Sequence, residues 1–164
     1  RIYPILDEEF IEITKLEPMA DDNGIFLARF ICPVFVIVSR TTQASEFLFK
    51  KLYDAIDSNN DLEEPMMNIL AWNMKSNSDG NKRLVTIVIP RAKHRPDCYT
   101  KEGDEQILVS PGALDMSGLI ITPREEDFNK MDSHTAINII SECGISPEEE
   151  INIIKRIKNI KTTE

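Results

Sequence analysis

A chain of 164 residues has the usual size of one domain and can bury about two-thirds of its unfolded surface, so its core needs neither a metal nor a disulfide. Its 41% hydrophobic and 29% charged residues exclude disordered and collagen-like classes. The formal net charge of -9 repels nucleic acid and anionic membrane, so neither is expected as a partner without a local basic patch.

Cys32, Cys98 and Cys143 are odd in number and contain no CxxC pair, which argues against a disulfide framework or a zinc knuckle and points to a reducing, cytoplasmic setting. The longest apolar run, Ile25 to Val38, is broken by Arg29 and Pro33 and is too short to span a bilayer, and the residues before it do not read as a signal peptide. The chain begins at Arg1 rather than at a methionine, so a processed or longer parent protein is expected.

Loose alternation from Phe10 to Leu16, the turn signal Asp21-Asp22-Asn23-Gly24 and the β-branched, aromatic stretch Ile25 to Ser39 predict a strand, a tight turn and one long central strand. That last stretch is apolar at nearly every position and therefore expects cover on both faces. Hydroxyls at Thr41 and Thr42, followed by Leu48, Leu52 and Ile56 at helical spacing, predict an amphipathic helix over Thr42 to Asp57. Ser58 to Asp61 closes it.

Met67 to Met74 and Arg83 to Ile89 predict a β-hairpin whose tip is the polar stretch Lys75 to Lys82. After a proline-punctuated loop from Pro90 to Asp104, Gln106 to Val109 and Met116 to Thr122 read as further strand, stopped by Pro123. From Arg124 onward the acids Glu125, Glu126 and Asp127 mark a helix start, and Ser146-Pro147-Glu148-Glu149 marks another, followed by Ile153, Ile157 and Ile160 at helical spacing. The expected fold is α+β: one antiparallel twisted sheet of about six strands from Phe10 to Thr122, one helix packed on it, and a C-terminal helical cap. Residues 1–164 form a single domain on this reading.

The densest cationic segment is Pro90-Arg91-Ala92-Lys93-His94-Arg95-Pro96, at the end of an apolar strand in an otherwise acidic chain. Arginine forks and a lysine point charge suit a phosphate, which makes Arg91, Lys93 and Arg95 candidate anion-binding residues. The competing reading is a solvated basic loop paired with Asp97, Glu102 and Asp104.

A second candidate is the small-residue loop Ser110-Pro111-Gly112-Ala113-Leu114-Asp115-Met116-Ser117-Gly118. Asp115, bounded by Leu114 and Met116, must be paired or face solvent. The two histidines, His94 and His134, form no His-x-His, HExxH or triad pattern, so no catalytic residue is assigned. Nothing in the residues calls for a metal or an organic cofactor.

Two segments taken together, Arg83 to Lys93 and Ser110 to Gly118 followed by Glu126-Asp127-Phe128, resemble an uncharacterised bacterial domain family. That family is related to GDP-hexose phosphorylases and diadenosine tetraphosphate phosphorylases of the histidine-triad and galactose-1-phosphate uridylyltransferase superfamily. Pro90 and Arg91 match a Trp-Pro-Arg-Lys strand end. Pro111, Asp115 and Gly118 match an Asn-Pro-Ala-x-x-Glu-Leu-Ala-Gly loop with aspartate in place of glutamate, and Glu126, Asp127 and Phe128 match a helix start.

The resemblance implies a histidine-triad-like fold and the C-terminal part of a nucleotide phosphorylase or nucleotidyltransferase-like protein. The implied ligand is a nucleoside diphosphate sugar or a dinucleoside polyphosphate. It also implies nucleotidyl transfer to a histidine on a His-x-His strand, with cations neutralising the phosphates. No such strand occurs in this sequence, so that strand is expected in an N-terminal segment, which would complete the sheet unless a homo-oligomer partner does so. The alternatives are a catalytically inactive nucleotide- or phosphate-binding domain and a protein-interaction module.

Overall fold

The computed structural model describes residues 12–18, 23–56, 64–75 and 80–160. Within them β1 (Glu12–Pro18), β2 (Gly24–Arg29), β3 (Pro33–Ser39), β4 (Met67–Lys75) and β5 (Lys82–Pro90) form one antiparallel sheet in the order β1-β2-β3-β5-β4. Helix α1 (Thr42–Ala55) follows β3, and α2 (Ala113–Met116), α3 (Glu125–Lys130), α4 (Ser133–Cys143) and α5 (Pro147–Asn159) follow the sheet. The architecture is α+β. Residues 21 and 22 of the expected first turn, Ser58 to Asp61 at the end of the helix signal, and residues 76–79 of the hairpin tip lie outside the described residues.

The stretch expected as one long strand from Ile25 to Ser39 is instead two, β2 and β3, paired in register from Gly24↔Val38 to Arg29↔Pro33. Pro33 explains the break: it lacks an N–H and holds the preceding residue extended, so it opens a strand and does not continue one. Residues 30–32 make the turn, with the Phe30 N–H reaching the Cys32 carbonyl at 3.4 Å.

Cover on both faces is realised within this chain for the central strands. Val34 and Phe35, adjacent in sequence and so on opposite faces, are both fully buried. One face carries Ile25, Leu27, Phe35, Ile37 and Val88 against Leu48 and Leu52 of α1 and Ile153 and Ile157 of α5. Each fully buried aliphatic side chain there contributes about 1.5–3 kcal/mol. The other face packs Ala28, Val34, Ile87 and Ile89 against Met116, Ile140 and Cys143.

Helices α1, α4 and α5 start where side chains replace missing backbone partners. Thr41 Oγ1 accepts from the Ala44 N–H at 3.1 Å, and Ser146 Oγ accepts from the Glu149 N–H at 3.2 Å with proline at the first turn of α5. Arg156 then ties α5 to the end of α1 by donating to the Ala55 carbonyl at 3.0 Å.

The sheet ends at Pro90, and neither Gln106 to Val109 nor Met116 to Thr122 is a strand. Their backbone donors go elsewhere. Ile107 N–H reaches the Cys98 carbonyl, Leu108 N–H the Asp127 carboxylate, and Leu119 N–H the Leu114 carbonyl. Gly118 adopts a φ of 101°, a left-handed conformation that turns the chain back on α2.

Candidate functional site

Beyond β5 the chain runs between β4 and the end of α4. Arg91 N–H reaches the Met66 carbonyl at 2.9 Å and Ala92 N–H the Cys143 carbonyl at 3.0 Å, while Arg91 forms an isolated bridge with Gly144. This threading turns the Arg91 side chain inward, where only 8% of the residue remains exposed.

The Arg91 guanidinium is met by four carbonyl-type oxygens. Nη1 donates to Asn68 Oδ1 at 2.9 Å and to the Pro111 carbonyl at 2.5 Å. Nη2 donates to the carbonyls of Lys93 at 2.9 Å and His94 at 2.7 Å. Nε alone has no partner. One side chain thereby fastens β4, its own loop and the Ser110 to Gly118 loop together, and four of its five N–H groups are already committed.

Lys93 points the other way, to an ion pair with Asp97 at 2.6 Å and another with Glu142 of α4. Donating to these two carboxylates raises the Lys93 pKa, and accepting from Lys93 lowers that of Asp97. A phosphate at Lys93 must therefore compete with two carboxylates. Arg95 is exposed: its guanidinium stacks 4.2 Å over the Tyr99 ring, and Nε donates to Ser110 Oγ at 3.4 Å. His94 is exposed beside it.

Asp115 is buried and spent locally. Oδ2 accepts from the Gly112 N–H at 2.9 Å and Oδ1 from the Ile121 N–H at 2.7 Å, drawing the segment expected as a strand, Met116 to Thr122, back onto the loop. The paired alternative for this carboxylate is thus realised through backbone donors rather than a cation.

Asp127 anchors the corner in a way its sequence setting did not single out. Its carboxylate is fully buried, receives Arg124 Nε and Nη2, each at 2.8 Å, and accepts from the Leu108 N–H at 3.1 Å. The Arg124 hydrogen bond lowers its pKa against the opposing effect of burial, and the Leu108 N–H adds to the lowering. In sequence it reads as one of three helix-start acids; the only signal separating it from the others is the arginine three residues before it.

The thiols are quiet. Burial pushes Cys32 up to about 11 and raises Cys143, with the Arg91 guanidinium opposing both shifts. Cys98, half-buried, is also raised by burial. Nucleophilic use of any of them is disfavoured at neutral pH. His134 sits exposed on α4 with Nε2 3.1 Å from Asn138 Nδ2. Among the described residues no cluster of histidine, cysteine and carboxylate side chains could hold a metal ion, and no helix is long and apolar enough to cross a membrane.

The structure therefore gathers Arg91 and Asp115 in the interior of the corner and leaves Arg95, Ser110 and His94 at its surface, with Lys93 drawn toward α4. Chemically, the outer edge can take an anion on the open part of the Arg95 guanidinium, and nothing there is poised to attack one. The chain matches no protein-family model, no curated protein and no solved structure.

Proposed function

We propose that this chain is the C-terminal portion of a nucleotide phosphorylase or nucleotidyltransferase-like protein with a histidine-triad-like fold. In it, Arg95 and Ser110 hold a phosphate of a nucleoside diphosphate sugar or dinucleoside polyphosphate, and Lys93 adds positive charge. The nucleophilic histidine comes from outside these residues. One observation carries the reading: the first two of the three short segments on which the family resemblance rests are hydrogen-bonded to each other through Arg91 and Pro111, and residues just outside them, Arg95 and Leu108, bond to the second and third. Arg91 donates to Pro111, Arg95 to Ser110, and Leu108 to Asp127.

In this reading Arg91 and Asp115 build the corner, and the exposed cations meet the ligand. The test is an amide-resolved NMR titration with GDP and ADP. Shifts centred on Arg95 and Ser110, lost in Arg95→Ala, are expected; no response at millimolar nucleotide rejects the site. The chain alone should not phosphorolyse GDP-hexoses, and turnover abolished by a substitution within residues 1–164 would reject the assignment of the nucleophile elsewhere.

A second reading, a protein-interaction module, draws on the exposed apolar side chains Leu119, Ile121 and Phe128, the last 67% exposed. Apolar exposure of this kind marks contact surfaces when it is contiguous.

A further inference from the structure

At the opposite end of β2 from its Gly24 start, a cleft of about 330 Å³ opens between the β2–β3 turn and the α4–α5 junction. It shares no residue with Arg91, Lys93, Arg95 or Asp115. Phe30, Ile31 and Pro33 line one side, and Ile145 and Pro147 line the other. Cys32 and Ser141 also line it, and two charged residues, Arg29 and Glu150, complete the lining. Arg29 Nη2 meets Glu150 Oε1 at 2.5 Å and Nη1 meets Oε2 at 3.1 Å. The Glu150 side chain is 4% exposed and that of Arg29 is 55% exposed.

Burying a carboxylate costs several kcal/mol, and an ion pair repays this only when the remaining donors and acceptors are also satisfied. Here the pair uses two of the five N–H groups of Arg29 and one lone pair on each Glu150 oxygen. Three donors and two lone pairs are left over beside apolar walls.

The chemistry of an occupant follows by elimination. A simple anion would meet the buried Glu150 carboxylate, and a simple cation would meet a guanidinium already in place. A wholly apolar molecule would strip water from the unused donors and lone pairs without replacing it. A molecule with both charges on one end and a small hydrocarbon body satisfies all three surfaces. The volume lies at the lower end for ligand pockets, roughly 300–1,000 Å³, and excludes a dinucleotide.

We propose that this cleft binds an apolar α-amino acid. Its carboxylate lies on the free edge of the Arg29 guanidinium, its ammonium on the free lone pairs of Glu150, and its side chain between Phe30 and Ile145. The resting ion pair keeps both groups oriented in the empty site.

The test is calorimetric titration of the full chain with L-leucine, L-isoleucine and L-phenylalanine, alongside L-leucinamide, which lacks the carboxylate, and 4-methylpentanoate, which lacks the ammonium. Saturable binding of at least one amino acid is expected, with each truncated analogue weaker by roughly tenfold or more. Glu150→Gln should abolish binding. Because that substitution disturbs a buried pair and can unfold the chain, Arg29→Lys serves as the second variant: it keeps a cation beside the buried Glu150 carboxylate but loses the free edge of the guanidinium, and it should remain folded by circular dichroism and bind at least roughly tenfold more weakly. Absence of saturable binding to the folded wild type, equal affinity for L-leucinamide or for 4-methylpentanoate, or unchanged affinity in folded Arg29→Lys would each overturn the proposal and leave the pair as a tie between β2 and α5.

Discussion

The inner and outer sides of the loop after β5 are built from the same residue types and end in opposite conditions. Inside, Arg91, Asp115 and Asp127 are buried and bound to backbone groups, with Asn68 and Arg124 as the side-chain partners of Arg91 and Asp127. Outside, Lys93 is partly exposed in ion pairs and Arg95 is exposed over Tyr99. A basic cluster in a sequence thus contains two populations. The inner one holds loops in place at the cost of desolvation, and only the outer one has donors to offer a ligand.

That division is most sharply tested by Arg91→Met. Removing the fork leaves the carbonyls it served without a donor, and a loss of about 3–5 kcal/mol in urea unfolding is expected. A loss as small as that of Arg95→Ala would erase the distinction between the two sides. Next in size is Asp127. Its pKa is depressed in the folded state, so its contribution is present above the ordinary carboxylate value of about 4 and is lost as pH falls through the lower folded value. Stability measured against pH should therefore fall on the acid side, and Asp127→Asn should flatten that part of the curve.

Asp115→Ala removes acceptors from the Gly112 and Ile121 N–H groups and should cost about 1–3 kcal/mol by thermal or urea unfolding. Smallest is Lys93→Ala, which breaks partly solvated pairs and should change stability by about 0–1 kcal/mol. Its effect should shrink further in high salt. If Lys93→Ala proves as damaging as Asp115→Ala, the pair with Glu142 belongs to the inner population.

The same division explains what could be read from the sequence. Helix α1, the β4–β5 hairpin and the two C-terminal helix starts follow from periodicity and capping residues whose partners lie within a few positions, such as Thr41 with Ala44 and Ser146 with Glu149. The cationic segment was visible for the same reason. Which of its members turn inward was not, because the acceptors of Arg91 include Asn68 and Pro111, about twenty residues away on either side.

The missed elements have different causes. Met116 to Thr122 has the composition of a strand, but Asp115 captures the Ile121 N–H and Gly118 reverses the chain. Such side-chain capture competes with the ladder and leaves no periodic trace. At residues 29–33 the sequence does carry a trace: Pro33 interrupts the apolar run just where β2 turns into β3.

The bridge between Arg91 and Gly144 places Gly144 against the β2–β3 turn so closely that a Cβ added there would fall 2.6 Å from the Cβ of Cys32. Backbone angles of φ -77° and ψ 169° at Gly144 suit any residue, so the constraint is one of contact and not of conformation. Positions 32 and 144 therefore cannot drift independently in descendants of this sequence. Any side chain acquired at 144 requires either glycine at 32 or a shift of the turn itself, and the two sites should change together along a lineage even though more than a hundred residues separate them.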